Sequence, residues 1–116
     1  MKYHITPVAK PRMTQRDKWK KRPSVMKYRA FKDEIRAAGI ELEESNQHVT
    51  FIIPMPKSWS KKKRLESHGM PHKQRPDIDN LQKALLDAVT SEDCYIWDMR
   101  CTKIWGYDGA IIISKP

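Results

Sequence analysis

Residues 76–89, PDIDNLQKALLDAV, and residues 94–105, CYIWDMRCTKIW, decide the fold. In the first stretch Leu81, Ala84, Leu85, Ala88 and Val89 recur at helical spacing, so one face is apolar and the other carries Asp79, Lys83 and Asp87. Pro76 precedes the pattern, and Asp77 or Asp79 is the natural cap, which predicts a helix ending near Val89. The second stretch is rich in aromatic and β-branched residues and reads as one long strand. Asp108-Gly109 follows as a hairpin signal, with residues 110–114 (AIIIS) as the returning strand. Working upstream, Gly69, Pro71 and Pro76 break the chain, and residues 57–68 predict a short, very basic helix capped by Ser60. Residues 48–53 (HVTFII) read as a strand closed by Pro54 and Pro56. A helix is expected from a Ser24 cap to about Ala38, with Tyr28, Phe31, Ile35 and Ala38 inward and Gly39 as its stop. Residues 7–23 hold three prolines and read as a loop, and residues 2–6 (KYHIT) as a short strand. The order β-α-β-α-α-β-β describes an α+β fold with a small mixed sheet, and 116 residues suit one domain spanning 1–116.

Charge narrows the class of partner. Twenty-three Lys and Arg oppose fourteen Asp and Glu, giving a net charge of +9 and a pI near 9.7. From Lys10 to Arg29 nine basic residues face Asp17 alone, and from Lys57 to Arg75 seven face Glu66 alone. The rest of the chain is therefore net negative. Two concentrated basic segments suit a phosphate backbone, because each neutralised phosphate releases counterions. Trp19 and Trp59 lie inside these segments, either to stack on bases or to anchor the segments to the core. No apolar run approaches a membrane span and the N-terminus has no signal-peptide core, so a cytoplasmic protein is expected. Cys94 and Cys101 lie too far apart along one strand for a disulfide. Residues His68, His72, Cys94 and Cys101 lack zinc-ligand spacing. No phosphate-binding glycine motif points to a nucleotide cofactor.

One acidic cluster stands out against the basic flanks. Asp77 and Asp79 straddle a loop-to-helix junction, Lys83 follows four residues after Asp79 on the same face, and Glu92-Asp93 precede the long strand that contains Asp98. Phosphodiester hydrolysis needs a water delivered to a phosphorus surrounded by negative oxygens. Mg²⁺, a hard cation that prefers carboxylate oxygens, acidifies such a water and stabilises the leaving oxygen. A nearby Lys can hold the phosphate. The plainer alternative makes Asp77 and Asp79 helix caps and Asp79–Lys83–Asp87 an ion-pair ladder, leaving a non-catalytic DNA-binding module.

The segment PDIDNLQKALLDAV followed by EDCYIWDMR resembles the RusA-type Holliday-junction resolvases, endodeoxyribonucleases common in prophages. Their pattern is D-x-D-N-x-x-K on a helix, then D-A-L, an acidic pair and a run such as A-Q-V-V-D. Asp77, Asp79, Asn80, Lys83 and Asp87 match the first part, and Glu92, Asp93 and Asp98 the second, with Cys94 to Trp97 replacing the usual small and aliphatic run. The resemblance implies a homodimer that binds a four-way DNA junction and makes paired symmetric nicks with Mg²⁺, or with Mn²⁺ in its place, in recombination and repair within a bacterial or phage-infected cell. It implies Asp77, Asp79 and Asp93 as catalytic metal ligands, Asp98 as a further metal carboxylate and Lys83 as the catalytic cation. The DNA-binding residues expected beside them are Arg12, Arg16, Lys18, Lys20, Lys21 and Arg22 in the first basic segment, and Lys61, Lys62, Lys63, Arg64, Lys73 and Arg75 in the second. A nuclease of this kind acting on flaps or forks would carry the same residues.

Overall fold

The computed structural model describes residues 1–11, 23–90 and 95–116. Among them, four strands, β1 (Lys2–Tyr3), β2 (His48–Pro54), β3 (Arg100–Gly106) and β4 (Ala110–Ser114), and three helices, α1 (Pro23–Ala37), α2 (Lys61–Ser67) and α3 (Ile78–Val89), follow the expected order. The sheet order is β1-β4-β2-β3, with β2 and β3 parallel and the other neighbours antiparallel. The α+β class with a mixed sheet therefore holds.

Period-two alternation in β2 sends Val49 and Phe51 to the helix-facing side, where both are fully buried. Tyr28, Phe31 and Ile35 of α1 and Leu81, Ala84, Leu85 and Ala88 of α3 meet them there, with Ile111 of β4. Each large aliphatic or aromatic side chain buried in this way contributes about 1.5–3 kcal/mol. α1 starts at Pro23, one residue before the expected Ser24 cap. Proline suits the first helical position because that N–H has no intrahelical partner. Gly39, at φ +68°, ends the helix as expected, while Ala38 lies outside it and is exposed. α2 is capped as read, with Lys63 N donating to Ser60 Oγ at 3.2 Å.

Three expectations are corrected. The first strand covers only Lys2–Tyr3 instead of residues 2–6. The long strand begins at Arg100, not at residue 94, because the preceding amides bind a loop: Trp97 N and Asp98 N both donate to Glu44 O, at 2.9 and 3.3 Å. Trp97 therefore lies outside the strand, and it is 73% exposed. Finally, β3 and β4 form no hairpin. β2 lies between them and pairs with both, so Tyr107–Gly109 crosses the end of β2 where Pro54 terminates it.

That crossing is tight. A Cβ on Gly109 would lie 2.7 Å from Thr6 Cα, and one on Gly106 would lie 2.3 Å from Ile52 Cγ2. The Thr6 contact involves backbone and cannot be relieved by a rotamer change. Gly109→Ala is expected to lose about 1–3 kcal/mol, as overpacking does, measured by urea denaturation; an unchanged midpoint would show that the crossing has room.

Candidate active site

The segment before α3 runs along the free edge of β3. Gly69 N donates to Trp105 O (2.8 Å), Trp105 N to Met70 O (3.0 Å) and His72 N to Lys103 O (3.1 Å), and Pro71 bridges Ile104. Beyond it Lys103 Nζ donates to Gln74 O (2.6 Å) and Pro76 O (2.7 Å). The Arg75–Pro76 peptide is cis. The chain then enters α3 at Asp77, whose extended backbone (φ −70°, ψ 146°) makes it the N-cap.

Asp77 occupies the cap position without using its carboxylate there: the side chain makes no capping hydrogen bond. Asp79 lies in the first turn, where the helix dipole favours an anion. Both residues are exposed, and among the described residues neither carboxylate has a hydrogen-bond or ion-pair partner. Arg75, Pro76, Asp77 and Asn80 line an open cleft at this junction. Lys83 is exposed one turn along, also without an ion-pair partner among the described residues. Two free carboxylates and an ammonium thus stand together on one end and one face of α3.

The Asp79–Lys83–Asp87 ladder of the plainer alternative does not form among the described residues. Asp87 is taken by other groups: Lys10 Nζ lies 2.6 Å from Oδ2, and Tyr28 OH donates to the same oxygen at 2.8 Å. Desolvation pushes the Asp87 carboxyl up, but hydrogen bonds from Lys10 and Tyr28 and the charges of Lys10 and Lys32 outweigh it, leaving the carboxyl below its ordinary value. Burial and the adjacent carboxylate push the Tyr28 phenol up. Asp87 therefore ties α1, α3 and the N-terminal segment together, and Lys10 N adds a bond to Asn80 O at 3.1 Å. One cation of the first basic segment has a structural partner.

The other expected site residues divide by location. Asp98 is exposed ahead of β3, and its Oδ2 accepts from Asn46 N at 3.0 Å, which stabilises the left-handed turn at Asn46 (φ +59°). Among the described residues no three His, Cys, Asp or Glu side chains lie close enough to hold a metal ion, so Asp98 does not complete a three-residue group with Asp77 and Asp79. Asp93, with Arg12, Arg16, Lys18, Lys20, Lys21 and Arg22, lies outside the described residues. Asp77 and Asp79 fit a hard divalent cation as part of a carboxylate set, and they do not by themselves make a full one.

Lys61, Lys62, Lys63, Lys73 and Arg75 are exposed, and Arg64 is half-buried. α2 buries none of its own residues. It is held by aromatic contacts: Trp59 packs on Trp105 at 4.8 Å, Lys63 Nζ sits 4.1 Å from the Trp59 ring centroid, and Arg64 lies over Tyr107 at 5.4 Å. Trp59 is therefore an anchor that presents the basic helix outward. His68 stacks on Tyr107, and the buried His72 ring packs 4.2 Å from Trp105. Burial and the nearby Lys103 charge pull the His72 imidazole down, which favours its neutral form. Burial pushes the Cys101 thiol up to about 11, so it stays protonated.

Sequence reading passed over Lys103. A signal was present: a lysine stands in the middle of the strand RCTKIWG, in a register that places it opposite the buried Phe51.

The Asp87 contacts generate a pH prediction. A carboxyl held below its unfolded value of about 3.9 contributes stability that is fully present above that value and is lost as pH falls through the lower folded value. Asp87→Asn should cost about 1 kcal/mol near neutrality, and the variant's thermal midpoint should fall less steeply than the parent's below about pH 4. Parallel curves would remove Asp87 from the acid response.

The family model described as Endodeoxyribonuclease RusA matches residues 4–114, nearly the whole chain. No curated protein and no solved structure gave a match.

Proposed function

Because the chain belongs to the RusA family of endodeoxyribonucleases, we propose that it resolves four-way DNA junctions by paired nicks that depend on Mg²⁺, with Asp77 and Asp79 as the core of the metal site. One observation carries this reading: Asp77 sits at a helix cap without capping, and Asp79 beside it is equally free. Carboxylates that serve a helix terminus accept from its amides. Two that do not, exposed between basic segments, are costly next to DNA unless a cation lies between them.

A divalent cation held there would supply an acidified water and charge neutralisation at the scissile phosphate. The chain's own groups perform the rest. Asp93 is the carboxylate proposed to complete the set. Lys83, exposed on the face of Asp79, grips the phosphate and favours the charge that develops on it. Lys61, Lys62, Lys63, Arg64, Lys73 and Arg75, with the basic residues of 12–22, hold the arms through phosphates and supply affinity without sequence choice. Two equivalent strands require two equivalent sites, which a two-fold homodimer provides.

Asp77→Asn and Asp79→Asn should each lower nicking of a labelled four-way junction by more than about 100-fold, since even outer residues around a metal ion cost 10–100-fold, while junction binding stays equal or tightens. Lys83→Ala should lower the rate by about 10²–10³-fold, as loss of a transition-state charge partner does. Single-turnover cleavage and gel-shift binding measure both. Nicking retained in both aspartate variants overturns the assignment, and preference for flaps or forks across a panel of branched DNAs would move the substrate.

A further inference from the structure

Lys103 grips the segment leading into the site at three alternate residues. Its carbonyl accepts from His72 N at 3.1 Å, and its ammonium donates to Gln74 O at 2.6 Å and Pro76 O at 2.7 Å. The two acceptor carbonyls flank Arg75 and end immediately before Asp77. The lysine comes from the middle of β3, between the ladder to β2 and the bridge at Pro71–Ile104. Its anchor is thus held from both sides, whereas residues 73–77 belong to no helix or strand. The register explains its direction: Lys103 lies opposite Phe51, whose fully buried side chain marks the helix-facing side. A flexible four-carbon stem is directed toward the helices and ends on two carbonyls of the turn.

We propose that Lys103 is a positioning residue for the nuclease: it sets the place of the Asp77 carboxylate by clamping the carbonyls of residues 74 and 76 to the sheet. The inference rests on the reading of Asp77 as a metal ligand. A metal-binding carboxylate must be held to within about 0.5 Å, and Asp77 has no side-chain partner to hold it. Its position comes from its backbone, and the backbone on its N-terminal side is fixed by this ammonium. On the C-terminal side the hold is the first helical bond, Leu81 N to Asp77 O at 3.2 Å. With two of its three donors on carbonyls, Lys103 has a different task from Lys83, whose ammonium has no ion-pair partner among the described residues.

The test compares the full chain with Lys103→Met, Lys103→Arg and Asp77→Asn, using Mn²⁺ alone as the probe. Thermal midpoints are followed against Mn²⁺ concentration without DNA, where binding to the folded state raises the midpoint. Cleavage of a four-way junction is followed against Mg²⁺, and junction binding is measured in EDTA. Lys103→Met should move the Mn²⁺ concentration for half the thermal response, and the Mg²⁺ concentration for half-maximal cleavage, upward by about 10–100-fold, the range for outer residues of metal sites. Junction binding in EDTA should be unchanged, and Lys103→Arg, which keeps donors for two carbonyls, should restore most of the metal response. A Lys103→Met protein with a lower midpoint at every Mn²⁺ concentration but an unshifted metal dependence overturns the proposal in favour of simple fold stabilisation. Weakened junction binding in EDTA with normal metal dependence overturns it in favour of a phosphate contact. Should Lys103→Met fail to fold, Lys103→Gln, which is uncharged and one bond too short to bridge both carbonyls as the ammonium does, is read against the same outcomes. If Asp77→Asn responds to Mn²⁺ as the parent does, the underlying reading of Asp77 fails, a result separate from any behaviour of Lys103.

Discussion

Leu81, Ala84, Leu85 and Ala88 line one face of α3, and all four are closed to solvent against α1 and the sheet. The rotation of this helix is therefore fixed, because turning it would expose two leucines at about 1.5–3 kcal/mol each. With the apolar stripe committed inward, Asp79 and Lys83 have only the solvent side left, and Asp77 is held at the exposed end. The proposed chemistry is thus a consequence of core packing: the same twelve residues that seal the core present the free charges. Asp87, near the other end of α3, faces α1 and is spent on Lys10 and Tyr28, which separates a structural carboxylate from two that have no partner among the described residues.

Much of this was legible in the sequence because it depends on local spacing. The buried residues of α3 and α1 follow a 3.6-residue period, Ser60 caps α2 as its position implies, and Gly39 stops α1 through a positive φ that glycine adopts freely. Readings failed where distant segments decided the outcome. Asp108-Gly109 carries a genuine turn signal, yet β2, contributed some fifty residues earlier, occupies the place a hairpin partner would take. Residues 95–99 have strand composition, but the amides of Trp97 and Asp98 bond to Glu44, a partner that no pattern within the segment reveals. The D-x-D-N-x-x-K spacing located Asp77, Asp79 and Lys83, but it could not say whether the aspartates cap the helix or the ladder to Asp87 forms. That depended on Lys10 and Tyr28, brought in from other elements.

The +9 charge acquires a spatial meaning in the fold. α2 buries nothing of its own and is carried on Trp59 and Tyr107, so its lysines project as a unit. Lys73 and Arg75 lead from that helix into the cleft where Asp77 begins α3. Cationic residues thus approach the free carboxylates along the chain, a sequence suited to drawing in a phosphate backbone and meeting it with a bound cation.

The central claim is that these carboxylates hold a catalytic metal on branched DNA. It is tested most directly by incubating the purified chain with a labelled mobile four-way junction, in Mg²⁺ and in EDTA, and mapping the cuts on each strand. Symmetric paired nicks are expected in Mg²⁺ and none in EDTA, with the junction bound in both. Binding without cleavage in Mg²⁺, or equal cleavage in EDTA, would contradict it.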